Sequence, residues 1–467
     1  MNLYFQHIKA IFFLGIGGIG MSAQARYFNH YGLEVYGYDK TQTELTLQLE
    51  KEGIYITYTD QLESIHQSFL HHSVNNSLVV YTPAIPSDNV IFNFFQQNRY
   101  TLFKRAFVLG KITEGYKTIA VAGTHGKTTT TTLISHLLKD AGISIQAFMG
   151  GISSNYNTNL ILSKNAQYCV VEADEYDKSF LTLKPYMAVV TSTDADHLDI
   201  YENAENIRET YTQFAEKTVK DGIVFATEKS VFNRKIVNQK TYGINNTRLD
   251  ITSNEIQFEN GGNTFQTTSG KTIIENIKLN VSGLHNVENC TVAIAVALEL
   301  GIPIEQIKKS IASYKGVKRR FEYIFKNKKA IYIDDYAHHP QELNAIISAV
   351  KSCYPEKQLT VIFQPHLYSR TRDFINEFAL ELSKVDQLAI MPIYPARELP
   401  IEGVNSEALL KKIRHNKKSL VPHEAILQYI ENQSTELLLT VGAGDIDKHV
   451  TSIQQVFIQK FGNNELE

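Results

Sequence analysis

The chain has 467 residues, 43% hydrophobic and 20% charged, an ordinary globular composition at a length suited to roughly three domains. Lys and Arg number 46 against 49 Asp and Glu, so no global charge favours nucleic acid or anionic membrane, and any anion must be gripped locally. Cys169, Cys290 and Cys353 stand far apart without CxxC spacing, which argues against a disulfide framework or a zinc site and suits a reducing cytoplasm. No apolar run approaches the roughly 18 residues of a membrane span, and the N-terminus lacks a signal-peptide pattern. The opening MNLYFQ resembles a protease recognition sequence and stays outside the functional reading.

Short apolar runs at 10–14, 78–81, 119–122, 168–171, 188–191, 223–226, 330–333, 359–363, 388–391 and 437–441 alternate with helical patterns. That alternation predicts parallel α/β units. The first run leads into Gly15-Ile16-Gly17-Gly18-Ile19-Gly20 and then a helical pattern. Gly15, Gly17 and Gly20 satisfy GxGxxG, with Gly18 inside it, where backbone can approach a diphosphate at a helix N-terminus. Asp39 follows the strand 35–38, at a distance that suits a ribose hydroxyl. An NAD site and a nucleotide-sugar site fit this loop equally.

The run 119–122 precedes Gly123-Thr124-His125-Gly126-Lys127-Thr128-Thr129 and another helix. Gly126-Lys127-Thr128 is the tail of a Walker A loop, with Lys127 for phosphate oxygens and Thr128 for Mg²⁺, although the first glycine stands at 123 rather than 121. The next strand ends in Glu172-Ala173-Asp174-Glu175, where such a fold holds magnesium. The strand after it delivers Asp194, Asp196, His197 and Asp199. Mg²⁺ seldom uses imidazole, so metal contact and a solvated loop role weigh equally for His197. Between 240 and 282, short alternating runs with NN, GG and SG turns predict an antiparallel β flap. Boundaries are expected near 105–116 and 315–321.

In chain order, GIGGIGMSA, AGTHGKTTT, EADEYDKSF, DADHLDIY, GLHNVENCTVAIA, KRRFE, DDYAHHP, FQPHLYSRTRDF, YPARELPIEG and VGAGDI make the chain resemble the Mur ligase family from about His7 onward. The Gly123 form of the loop is the family's own. The resemblance implies three domains: a Rossmann-like UDP-sugar-binding domain (1–110), a central P-loop ATPase-type α/β domain with the flap (111–317), and a Rossmann-like amino-acid-binding domain (318–467). It implies an ATP-dependent carboxylate–amine ligase of peptidoglycan synthesis, working through an acyl phosphate with Mg²⁺. GIGGIGMSA and YPARELP are similar to members that add L-alanine to UDP-N-acetylmuramate. EADEYD leaves a second reading, a recycling ligase that attaches a murein tripeptide. The stretch IRETYTQF (207–214) has no lysine for the carbamylation that later-acting members carry, as in the alanine-adding ones.

The glycine loop would then hold the UDP diphosphate. Lys127 and Thr128 would serve phosphates and Mg²⁺, Glu172 one metal and His197 a second. His285, Asn286 and Asn289 match a segment near the nucleotide. Arg320 (or Arg319) and Asp335 match nucleotide contacts, and His338, His366, Arg370 and Arg372 line the expected amino-acid site. Closure about 315–321 would exclude water from the acyl phosphate, and a monomer or homodimer is expected.

Overall fold

The computed structural model describes residues 3–194, 201, 203–259, 261–396 and 398–465. The chain forms two compact units, one of residues up to 256 with 265–278 and 285–315, the other of 257–264, 279–284 and 316–467. No helix among the described residues is long and apolar enough to cross a membrane.

The first unit carries two sheets. In one, β1 (Ala10–Leu14), β2 (Glu34–Tyr38), β3 (Tyr55–Thr57), β4 (Ser77–Tyr81) and β5 (Thr101–Lys104) take the order β3-β2-β1-β4-β5. All neighbouring pairs are parallel. Every residue of β1 is buried, because helices cover both faces of a parallel sheet; that is why AIFFL reads as a continuous apolar run. Strand order reverses between β1 and β4, which opens a crevice at their carboxyl ends. Leu3–Phe5 is a 3-10 turn, and buried Phe5 meets Phe28 edge-on at 5.1 Å.

The other sheet has ten strands: β6 (Lys117–Ala122), β7 (Ile145–Ser153), β8 (Thr158–Ile161), β9 (Tyr168–Glu172), β10 (Met187–Val190), β11 (Ile223–Thr227), β12 (Gln239–Ile244), β13 (Ile251–Glu259), β14 (Gly262–Ser269) and β15 (Thr272–Leu279). Their order is β15-β14-β13-β12-β11-β10-β6-β9-β7-β8. Strand β6 lies between β9 and β10 and parallel to both, so the segments leaving these three strands emerge side by side. The flap expectation is corrected at its start: β12 runs parallel to β11, and β13 parallel to β12. Only β13–β15 form the short-linked meander.

Helix Ile19–His30 reaches from the first sheet to the second. Arg26 Nη1 donates to Asn159 Oδ1 on β8 (2.6 Å), and Asn159 Nδ2 donates to Ile19 O (2.6 Å) and Ser22 Oγ (2.9 Å).

In the second unit, β16 (Glu322–Lys326), β17 (Ile331–Asp335), β18 (Leu359–Phe363), β19 (Gln387–Ile390), β20 (Lys418–Leu420) and β21 (Leu437–Val441) take the order β16-β17-β21-β18-β19-β20. Only β16 is antiparallel to its neighbour.

Candidate active site

The loop after β1 turns at Gly15 (φ +86°) and feeds helix Ile19–His30. Gly17 N–H donates to Asp39 Oδ2 (2.8 Å), and Thr41 N–H to Asp39 Oδ1 (3.2 Å). Asp39 thus holds the glycine loop from the end of β2, in the place where a ribose contact was expected. Gly18 caps the helix without a side-chain bond, leaving first-turn amides for an anion.

The loop after β6 is built around glycine. At Gly123 (φ +131°) a Cβ would overlap Thr191 Oγ1; at Gly126 (φ +79°) it would sit 2.6 Å from Asn289 Oδ1. Ser192 Oγ accepts from the Thr124 (3.1 Å) and His125 (3.2 Å) amides, and Thr124 Oγ1 donates to Asp194 O (2.8 Å). Gly126 caps helix Lys127–Asp140, whose first turn holds Thr128 and Thr129. Thr128 is buried, as are Asn286 and Asn289 of helix Leu284–Glu299, while His285 is exposed. His197 lies outside the described residues, as do Asp196 and Asp199.

Lys127 Nζ donates to Gly123 O (2.7 Å), Thr124 O (3.3 Å) and Glu175 Oε1 (2.8 Å). Burial works against its charge, but Glu175, then Glu172 and Asp174, hold the ammonium above its ordinary value. Glu172 stands at the carboxyl end of β9, so close to Gly150 that a Cβ there would overlap its carboxylate. Asp174 binds Arg105 Nη2 (3.0 Å). Neither Glu175 as the lysine's partner nor Arg105 was singled out in the sequence. Glu175 lies inside the EADEYD motif and was within reach; Arg105 has no motif to announce it.

The second unit gathers His338, His366 and Arg370. His338 Nδ1 is 2.9 Å from Tyr336 O, and a carbonyl only accepts, so Nδ1 carries the proton and Nε2 the lone pair. The rings of His338 and His366 are 5.6 Å apart, and His366 stacks on Tyr394 at 5.7 Å. Burial lowers His338 against the pull of Glu342, and Arg370 lowers it further. Burial, His338 and Arg370 together push His366 down to about 4. Both imidazoles are therefore neutral at neutral pH. His366 Nδ1 and Arg370 Nη1 are buried with no hydrogen-bond partner among the described residues. Such atoms lose their hydration unless a ligand replaces it. Leu367, between them, has φ +70°, a conformation leucine pays for in strain.

Arg372 is exposed and paired with Asp373 (2.7 Å), and it also feels the Glu398 carboxylate. Arg319 is tied to Gly442 O (2.6 Å), Asp334 (3.3 Å) and Asp447 (3.2 Å). Its neighbour Arg320 lies over the Tyr336 ring at 5.3 Å and draws down the Asp335 carboxyl that burial raises. Asp335 also accepts from the Phe321 (2.7 Å) and Ala337 (2.8 Å) amides. A cavity of about 900 Å³ in this unit opens at the amino ends of β18–β21 and is lined largely by Lys, Gln and Asn. It includes none of these residues and lies at the wrong end of the strands for them.

Three sequence patterns match the chain in succession: Mur ligase family, catalytic domain, at 10–117; Mur ligase middle domain at 121–297; and Mur ligase, glutamate ligase domain, at 319–444. A UDP-N-acetylmuramate–L-alanine ligase of Cytophaga hutchinsonii is 43% identical, over 99% of both chains. One of Christiangramia forsetii is 44% identical over 97% of this chain and 99% of its own. The solved UDP-N-acetylmuramate–alanine ligase of Thermotoga maritima superposes with TM-score 0.81 at 26% identity, covering 97% of this chain and 99% of that one.

Proposed function

The chain belongs to the Mur ligase family, and on that premise we propose that it joins L-alanine to UDP-N-acetylmuramate using ATP and Mg²⁺, in the cytoplasm, during peptidoglycan precursor synthesis. The observation that carries this reading is the near full-length likeness to relatives named for that reaction. In the proposed division, residues 1–110 hold the sugar nucleotide, 111–317 the ATP and 318–467 the amino acid.

A carboxylate does not form an amide directly, because oxide is a poor leaving group. The muramate carboxylate attacks the γ-phosphorus of ATP, ADP departs, and an acyl phosphate remains. The alanine amine then attacks the acyl carbon, and the tetrahedral intermediate expels phosphate. Lys127 exchanges its carbonyl and Glu175 contacts for phosphate oxygens, placing positive charge where negative charge accumulates in transfer. Arg370, with Nη1 unpaired among the described residues, receives the amino-acid carboxylate in a fork. His338 presents a neutral Nε2 that takes the proton released as the amide forms. Arg320 and Asp335 serve the nucleotide; the contacts of Arg319 with Gly442 O, Asp334 and Asp447 favour Arg320 for this role.

The donors fit Mg²⁺. The Thr128 hydroxyl and the Glu172 carboxylate are hard oxygens, and the acidic segment carries Glu172, Asp174 and Glu175 against Lys127 and Arg105. His197 is a further candidate ligand. When bound, Mg²⁺ would neutralise charge on the transferring phosphoryl group.

Phosphate release measured with ATP, UDP-N-acetylmuramate and single amino acids tests the reading. Stimulation by L-alanine is expected. Stimulation by a murein tripeptide and not by L-alanine would overturn it in favour of a recycling ligase.

A further inference from the structure

Arg105 opens helix Arg105–Thr113, just after β5, yet its guanidinium lies against the first turn of helix Ile19–His30. A Cβ at Gly20 would overlap Arg105 Nη1. The guanidinium thus occupies the space above the third glycine of GxGxxG, and a side chain there would have to displace it. The main chain secures the approach, since Arg105 O accepts from Gln24 Nε2 (3.0 Å) one turn further along that helix. A cation against a helix N-terminus is electrostatically unfavourable, because both ends of the contact are positive. The structure offsets this with one carboxylate, Asp174, at 3.0 Å from Nη2. Asp174 belongs to the segment that carries Glu172 and Glu175, and a narrow crevice is lined by Arg105, Glu172, Asp174 and Ser179 among others.

We propose that Arg105 is a phosphate-binding residue for the diphosphate of the sugar nucleotide, and that Asp174 occupies its guanidinium until that diphosphate arrives. The proposal rests on the glycine loop being the sugar-nucleotide site. Lys127 and Glu175 repeat the arrangement on the ATP side, at 2.8 Å. One acidic segment thus restrains two cations, one beside each phosphate loop. Each cation gives up a carboxylate for a phosphate, and each exchange leaves the segment more negative and better suited to a divalent cation.

Calorimetric titration of the full-length protein with UDP-N-acetylmuramate, UDP and ADP, without Mg²⁺ or ATP, tests this. Arg105→Ala is expected to weaken both uridine ligands by about ten-fold to a hundred-fold, the value of a charge-assisted hydrogen bond, with Arg105→Lys between it and wild type. Asp174→Asn removes the competitor and is expected to tighten both ligands several-fold. ADP affinity should stay within about two-fold in all three variants, since a guanidinium serving ATP would move it. A merely structural ion pair would make Asp174→Asn bind like Arg105→Ala. That result, an Asp174→Asn no tighter than wild type, or an Arg105→Ala as tight as wild type, overturns the proposal. Wild type that binds neither uridine ligand overturns the sugar-nucleotide reading beneath it as well. Should Arg105→Ala fail to fold, the isosteric Asp174→Asn decides alone.

Discussion

Lys127 has its three ammonium protons directed at Gly123 O, Thr124 O and Glu175. Its position is set by acceptors of the loop itself, so it waits where phosphate must arrive. Lys127→Ala is expected to lower ADP formation by on the order of 10²–10³-fold or more, read in a coupled assay; normal alanine-dependent turnover would show that another loop binds ATP. Single residues also contribute opposite slopes to stability in the acidic range. His366 is near 4 when folded against an ordinary 6.5, so between those values the unfolded chain binds a proton that the folded chain refuses. Stability therefore falls as pH drops from about 6.5 toward 4. Asp334 has the opposite sign: burial, opposed by Arg319 and Thr440, raises it from 3.8 to about 7. There the folded chain binds the extra proton, and stability falls as pH rises from about 4 to 7. The two slopes oppose each other in the wild type, so denaturant unfolding across pH 4–8 needs both variants. His366→Gln should lessen the acid-side loss and Asp334→Asn the loss on raising pH; an unchanged slope in either variant refutes that assignment. The residues of the candidate site were legible where a motif carried them, as with Lys127, Glu172 and Asp335. Arg105 was not, because its partners Gln24 and Asp174 are 81 and 69 positions away and nothing local marks it.

The elements were legible where burial on both faces makes a strand apolar throughout. Strands β1, β18 and β21 coincide with their sequence runs, and each is wholly buried. Strand β7, IQAFMGGIS, is absent from the apolar runs, since Gly150 and Gly151 interrupt its apolar pattern. The Glu172 carboxylate of β9 lies in the space a side chain at Gly150 would take, so a site contact coincides with the break in the pattern. Strand β12 carries two lysine- and glutamine-bearing positions at a half-buried start, and its parallel pairing leaves no local sign. Gly123 and Gly142 show how an element tolerates or rejects the same change. Both have positive φ, but a Cβ at Gly142 meets nothing within 4 Å, whereas at Gly123 it overlaps Thr191 Oγ1. Gly142→Ala is expected to cost about 1 kcal/mol, the strain of the backbone alone, and to leave ADP binding intact. Gly123→Ala should cost about 2–4 kcal/mol and weaken ADP binding, because the loop between β6 and its helix must shift. Equal thermal shifts and equal ADP affinities for the two variants would show that the Thr191 contact does not constrain the loop.

The whole molecule divides at several places, between 256 and 285, that no boundary in the sequence suggests. The chain passes between the two compact units at 256/257, 264/265, 278/279, 284/285 and 315/316, so the ends of β13–β15 are counted with the carboxy-terminal unit while their middles are not. The contacts explain the membership. Gly261 O accepts from Ser282 Oγ (2.6 Å) and Tyr323 Oη (3.2 Å), Tyr323 Oη meets Tyr354 Oη (2.9 Å), and a Cβ at Gly316 would touch Val281 at 3.4 Å. Segments 257–264 and 279–284 thus depend on groups that lie beyond 316 in the chain. A fragment ending at 315 would retain both segments and lose Tyr323, Tyr354 and Gly316, exposing backbone that these groups now satisfy or cover. Hydrogen exchange on such a fragment should show 257–264 and 279–284 exchanging rapidly while β6, β9 and β10 stay protected, with all of them protected in the full chain. The same logic sets the result of nicking the intact protein between 315 and 316: four other crossings remain unbroken, so the two pieces should co-elute under native conditions and part only in denaturant. Separation without denaturant, or equal protection of the two segments in fragment and full chain, would mean that the shared strand ends contribute little, and that the units are joined by the single link a linear reading of the chain expects.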